Sequence, residues 1–129
     1  MTDKPLFTED DIIFSYTRAE AIADGVLVDI TELAKEAGIK FPTAITAHAW
    51  GAAIEPPTDC PCQSIEGRAW DVLQVMRFTA QKAGDAARID FVVRVKQQTG
   101  ISRDVALKAL AHPGDQGEPV ITIMLPHED

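Results

Sequence analysis

The stretch Arg103-Asp104-Val105-Ala106-Leu107-Lys108-Ala109-Leu110, then His112-Pro113-Gly114-Asp115-Gln116-Gly117-Glu118-Pro119, then Val120-Ile121-Thr122-Ile123-Met124-Leu125-Pro126 decides the fold. In the first run Val105, Leu107 and Ala109 alternate with Ala106, Lys108 and Leu110; in the last, Val120, Thr122 and Met124 alternate with Ile121, Ile123 and Leu125. A period of two is the mark of a strand, because successive side chains point to opposite faces. Between the runs, Gly114 and Gly117 supply the backbone freedom of a tight turn. Just upstream, Phe91, Val93 and Val95 alternate with Val92, Arg94 and Lys96, and Gly100 falls in the intervening turn. Short consecutive connections make these three strands an antiparallel meander.

Working back towards the N-terminus, the period changes to that of a helix. From Ile65 to Ala83, apolar residues Ile65, Ala69, Val72, Leu73, Met76, Ala80 and Ala83 recur at steps of three and four, with Gly84 as terminator. Residues 54–63, which hold Pro56, Pro57 and Pro61, read as a loop. Before them, Pro42 suits a first helical position, and residues 44–50 read as a short helix; the alternation of Ile45, Ala47 and Ala49 with their neighbours leaves a strand open as the alternative. Asp29 and Glu32 form a capping pattern for a helix with Ile30, Leu33, Ala34 and Ala37 on one face, closed by Gly38. Thr17 and Glu20 form another, for a helix from Arg18 to Asp24 closed by Gly25. Val26-Leu27-Val28 is short enough to be only a bridge, and Ile12-Ile13-Phe14-Ser15-Tyr16 reads as a strand joining the sheet from outside the meander. The expectation is therefore an α+β fold: three to four helices, then a small antiparallel meander with one face on the long helix. Residues 1–129 are expected to form a single domain, with 1–10 flexible.

Composition narrows the class. At 46% hydrophobic residues the chain can bury a core without a metal or a disulfide framework. No apolar run approaches the ~20 residues that span a bilayer, and Met1-Thr2-Asp3-Lys4-Pro5 lacks the pattern of a signal peptide. A cytoplasmic protein without a membrane partner is expected. Cys60 and Cys62 are poorly spaced for an unstrained disulfide; as metal ligands they would need His48 and Asp59, in a spacing that matches no strong zinc pattern. Reduced thiols, and no cofactor or metal, are the expectation. The net charge of −8 lies wholly in residues 1–66; residues 67–129 balance. Such a field repels phosphate backbones, which disfavours direct binding to nucleic acid and favours basic protein partners.

Among chemical fingerprints, the chain carries no Gly-rich phosphate loop with lysine, no nucleophile elbow, no paired zinc ligands on a helix and no calcium loop. No catalytic residue is assigned. Two polar groups stand out. Tyr16, Thr17 and Arg18 lie where a strand hands over to a helix, where free N–H groups and a guanidinium favour anions; equally, Thr17 is a cap and Arg18 a surface residue. Asp115 and Glu118, with His112, sit on the hairpin tip and could act as an acid/base set; equally, they shape the turn. Of the tryptophans, Trp70 falls near the apolar stripe of the long helix and reads as core, whereas Trp50 reads as exposed.

Ser15 to Asp29 (SYTRAEAIADGVLVD), with Ala37-Gly38 and Phe41-Pro42 after it, resembles the opening of a small bacterial family of unknown function. Gly114 to Pro126 (GDQGEPVITIMLP) resembles its ending, and Arg68-Ala69-Trp70-Asp71-Val72-Leu73 its central helix. Members of that family tend to be encoded on plasmids and other mobile elements, near genes for antirestriction-type proteins. The resemblance implies a setting and supplies no catalytic residues. It is compatible with an accessory protein that binds a host protein, with counter-defence as one such role. Two other classes stay open. One is an enzyme with a composite site, since a strand bearing Tyr16 and Thr17 with a late Glu118 is generically similar to ADP-ribosyltransferase folds. The other is a homo-oligomeric module that pairs through a sheet edge carrying Thr122 and Met124, or their neighbours on the other face, as an exposed stripe.

Overall fold

A computed structural model describes residues 17–55, 64–98 and 101–128. Among them are four helices, α1 (Arg18–Ala23), α2 (Thr31–Glu36), α3 (Ala47–Ala53) and α4 (Ile65–Ala83), and five strands, β1 (Leu27–Asp29), β2 (Thr43–Thr46), β3 (Arg88–Gln98), β4 (Ile101–Pro113) and β5 (Pro119–Met124). The fold is α+β, as the change of period requires. The residues 12–16 read as a strand, the two cysteines and Gly100 lie outside the described residues.

The meander forms the larger part of one sheet of order β1-β2-β5-β4-β3. Phe91 faces Leu107, Val93 faces Val105 and Ile89 faces Ala109; across the next ladder Ala109 faces Ile123. These residues share one face and are buried beneath α4 and its neighbours, in one cluster with Ala69, Val72, Leu73 and Met76 of α4. Fully burying such side chains stabilises by about 1.5–3 kcal/mol each.

The N-terminal half does more than supply helices. Within residues 44–50, read as a short helix with a strand as the alternative, both occur: Thr43–Thr46 is the strand β2, and the helix begins only at Ala47. β2 runs parallel to β5, with Ala44 opposite Thr122 and Ile45 opposite Ile123. Its first hydrogen bond comes from Ile121 N–H to the carbonyl of Pro42, at 2.9 Å, so this proline precedes a strand rather than opening a helix. Thr46 then caps α3, accepting from Ala49 N–H at 3.1 Å. The segment read as a bridge is β1, paired antiparallel with β2. β5 consequently lies inside the sheet between β2 and β4, and Thr122 and Met124 are buried; they form no sheet edge.

Capping at the two early helices differs in detail. Thr17 and Glu20 make the full reciprocal box at α1. At α2, Asp29 sits one residue before the cap position and accepts from Thr31 N–H at 3.0 Å, an Asx turn in place of the capping box. Gly38 follows α2 with φ +93°, and a Cβ there would lie 3.3 Å from Arg77 Nε. The tryptophans exchange roles: Trp50 is half-buried against the core, whereas Trp70 is exposed on α4.

Candidate functional site

The second face of the sheet carries the candidate site. On β4, Lys108, Leu110 and His112 point there; the ladder sets them opposite Met124, Thr122 and Val120 of β5. On β2 and β1 the same face carries Ala44 and Thr46, and Asp29 and Leu27. α1 lies over one end of this face and the segment Leu125–Glu128 over the other. Between them opens a cleft of about 870 Å³. Its floor is Leu27, Thr46, Leu110, Thr122 and Met124, and its rim includes Thr17, Arg18, His48, His112, Asp115 and Glu128. The volume is that of a small-molecule or peptide site.

The two polar groups singled out in the sequence meet at this rim, although they are nearly a hundred residues apart. Asp115, at the hairpin tip, spans the start of α1: its Oδ1 accepts from Arg18 N–H at 2.8 Å and its Oδ2 from Ala19 N–H at 3.1 Å. Thr17 Oγ1 accepts from Glu20 N–H at 3.0 Å. The N–H groups expected to be open to an anion are thus taken, two of them by the protein's own Asp115. Glu118 Oε1 accepts from Gln116 N–H at 2.8 Å and fixes the turn. Gly117 adopts φ +80°, and Gly114 N–H donates to the Glu118 carbonyl, so the tip is shaped by backbone as well as by its carboxylates. Asp115 and Glu118 are thus both engaged as hydrogen-bond acceptors. Tyr16 lies outside the described residues.

Arg18 reaches back along the floor. Its Nη1 donates to Thr122 Oγ1 at 2.7 Å and its Nη2 to the Ile121 carbonyl at 2.8 Å. Burial lowers the Arg18 pKa from its ordinary value, and the neighbouring carboxylates of Asp29, Asp115 and Glu118 only partly offset it. Thr122 Oγ1 also lies 2.8 Å from His112 Nε2, and His112 Nδ1 lies 3.0 Å from the Pro113 carbonyl. A carbonyl can only accept, so Nδ1 carries the proton; in the neutral ring Nε2 then accepts from the Thr122 hydroxyl, which in turn accepts from Arg18. The chain Arg18–Thr122–His112 ties helix, sheet and hairpin into one wall. Thr122 and His112 were legible in part: each shares the phase of its strand's second face, where polar residues interrupt an apolar alternation.

The opposite rim is a clamp made by Glu128. Its Oε1 accepts from Thr46 Oγ1 at 2.7 Å and from Leu125 N–H at 2.8 Å, its Oε2 lies 3.1 Å from His48 Nδ1, and Lys108 Nζ donates to its main-chain carbonyl. Burial pushes the Glu128 carboxyl up, but the hydrogen bonds from Thr46, Leu125 and His48, with the charge of His48, outweigh it and hold the pKa below the ordinary value. A folded-state pKa below the unfolded one means stability that is present above the usual carboxylate range and lost as pH falls through the folded-state value. Between about pH 6 and about pH 3, Glu128→Gln protein should lose less stability in urea melts than the parent protein. Equal losses would show that the clamp carries no linkage.

Among the described residues no group of three or more His, Cys, Asp or Glu side chains is placed to hold a metal ion, and no helix is long and apolar enough to cross a membrane. Fold and cleft together define a small α+β protein whose sheet has one helix-packed face and one face that opens into a cleft. The chain belongs to a family of unknown function, DUF6573, which it matches over residues 3–129. Comparison with curated proteins and with solved structures finds no significant match.

Proposed function

We propose that this protein acts by binding a basic protein partner through the β1 end of the molecule and the adjoining cleft. The observation that carries the reading is the placement of charge. Asp24, Asp29, Glu32 and Glu36 are all exposed and lie in the α1–β1–α2 stretch that ends in and follows the short edge strand β1, with Lys35, 3.5 Å from Glu32, the one basic side chain between residues 24 and 36. A cluster of one sign steers an oppositely charged partner and contributes more to rate and specificity than to affinity. The mixed lining of the cleft suits side chains delivered by such a partner. In the mobile-element setting implied by the sequence resemblance, a protein with a basic nucleic-acid groove is a fitting target, and counter-defence a fitting role. The carboxylates of the hairpin tip are engaged structurally, so binding is a more economical use of the site than acid/base chemistry.

The test is capture from bacterial lysate with tagged protein at low and moderate salt, followed by affinity measurement on the captured partner. The expected result is stoichiometric, salt-sensitive binding that weakens about tenfold or more when Asp24, Glu32 and Glu36 are replaced by Asn, Gln and Gln. Binding that survives both salt and neutralisation would remove the charge-based reading.

A further inference from the structure

We propose that the β3 edge pairs antiparallel with β3 of a second copy of this chain, so that two sheets join into one. This is independent of the partner surface above, which lies at the opposite edge.

β3 spans Arg88–Gln98 and, among the described residues, ends the sheet and pairs with β4 only. The other edge strand, β1, is three residues long. The hydrogen bond from Ala111 N–H to the Ala87 carbonyl fixes the phase of the β3–β4 ladder. Main-chain groups of Ile89, Phe91, Val93 and Val95 therefore point to β4, and those of Arg88, Asp90, Val92 and Arg94 point out of the sheet. A long row of outward N–H and C=O groups is a template for another strand.

Charges on an edge strand ordinarily discourage pairing, but here their order complements itself about Val92. A two-fold axis at Val92 makes Val92 face its own copy in a hydrogen-bonded pair and sets Asp90 opposite Arg94 of the second copy. Within each chain Asp90 is already opposite Lys108, Arg94 opposite Asp104 and Val92 opposite Ala106. Across the joined sheet the rows then read Lys108, Asp90, Arg94, Asp104, with alternating sign, on each side of a central row Ala106, Val92, Val92, Ala106. All of these residues but Lys108 are exposed in the single chain, Val92 at 54%. Arg94 Nε is 3.1 Å from Asp104 Oδ1, so one ion pair of each charged row is preformed. Slipping the register by two residues, in one direction or the other, would put Val92 opposite Arg94 or opposite Asp90, which breaks the central row and sets a charge against an apolar side chain. Arg88 and Lys96 fall opposite each other at the ends, and the ladder shifts register between Lys96 and Gln98, so the favourable rows are the central ones. The same axis sets the two copies of α4 antiparallel on the first face.

Sedimentation equilibrium of the full chain tests this, with Val92→Pro as the first variant. The Val92 N–H points outward, so proline there removes an edge donor and no bond to β4. The expected result is a concentration-dependent dimer for the parent and a folded monomer for Val92→Pro. Charge reversal supplies a second test that leaves the backbone intact: Asp90→Arg and Arg94→Asp should each weaken the dimer about tenfold or more, and the double variant should recover most of that loss. A parent that stays monomeric at about 100 μM, well above the micromolar range of ordinary association, would overturn the proposal. So would a dimer indifferent to Val92→Pro, or single reversals whose losses simply add.

Discussion

Replacing Ile123 by alanine is expected to lower the free energy of unfolding by about 2–5 kcal/mol, a large share of the ~5–15 kcal/mol of a typical domain. Ile123 has no exposed surface. It stands on the central strand opposite Ala109 on one side and Ile45 on the other, so it joins the meander to the strand contributed by the N-terminal half. Alanine would leave a void that the small cross-strand neighbour, Ala109, cannot fill from its own side chain. Ile123→Val should cost only about 0.5–1.5 kcal/mol. Urea melts check both, provided the slope is unchanged between variants. A loss below about 1 kcal/mol for alanine would mean that the two halves of the sheet are not joined through this residue.

The second large effect is at Arg18. Arg18→Met should cost about 2–3 kcal/mol, because two charge-assisted bonds at 2.7 and 2.8 Å are lost and the buried Thr122 hydroxyl loses its strongest donor. Methionine keeps most of the apolar stem, so the loss reports the guanidinium rather than volume. Thr122→Val, made alone and with Arg18→Met, completes a double-mutant cycle. The coupling should reach about 0.5–3 kcal/mol. Additive losses would mean that Arg18 and Thr122 stabilise the cleft wall separately.

The parts of this fold that were legible in the sequence are those where one period runs long enough to exclude the other. α4 holds a three-and-four repeat from Ile65 to Ala83, and Phe91, Val93 and Val95 hold a period of two; both are read without their surroundings. Thr43–Thr46 fails this condition. Four residues fit a strand and a helix equally, and only the partner strand β5, about eighty residues later, decides between them. β1 is invisible for the same reason, since a strand of three residues exists only through its neighbour. Trp70 shows a different limit: its place at the border of the stripe does not say whether another element reaches that side of α4, and among the described residues none covers it enough to bury it.

The site was legible as two clusters and illegible as one. Thr17 and Arg18 were marked by the helix start, and Asp115 and Glu118 by the turn. Nothing in the spacing shows that Asp115 would close on the α1 N–H groups, because that contact depends on β5 running beside β2. Glu128, His48 and Lys108 went unnoticed as a group, since each lies in a different element and the clamp exists only after the sheet has formed.

The parallel pairing of β2 with β5 also governs the order in which a newly made chain can acquire structure. Residues 43–46 have no neighbour on one side until residues 121–123 have been synthesised, and at about 5–20 residues per second that is a wait of several seconds. During it, Ile45 and the apolar side of α3 stand open to other molecules in a half-made polypeptide. A ribosome stalled anywhere before β5 would thus hold a product with an unpaired strand and no cleft. Such a fragment suits capture by chaperones and proteases, and the groove comes into being only once β5 has been made.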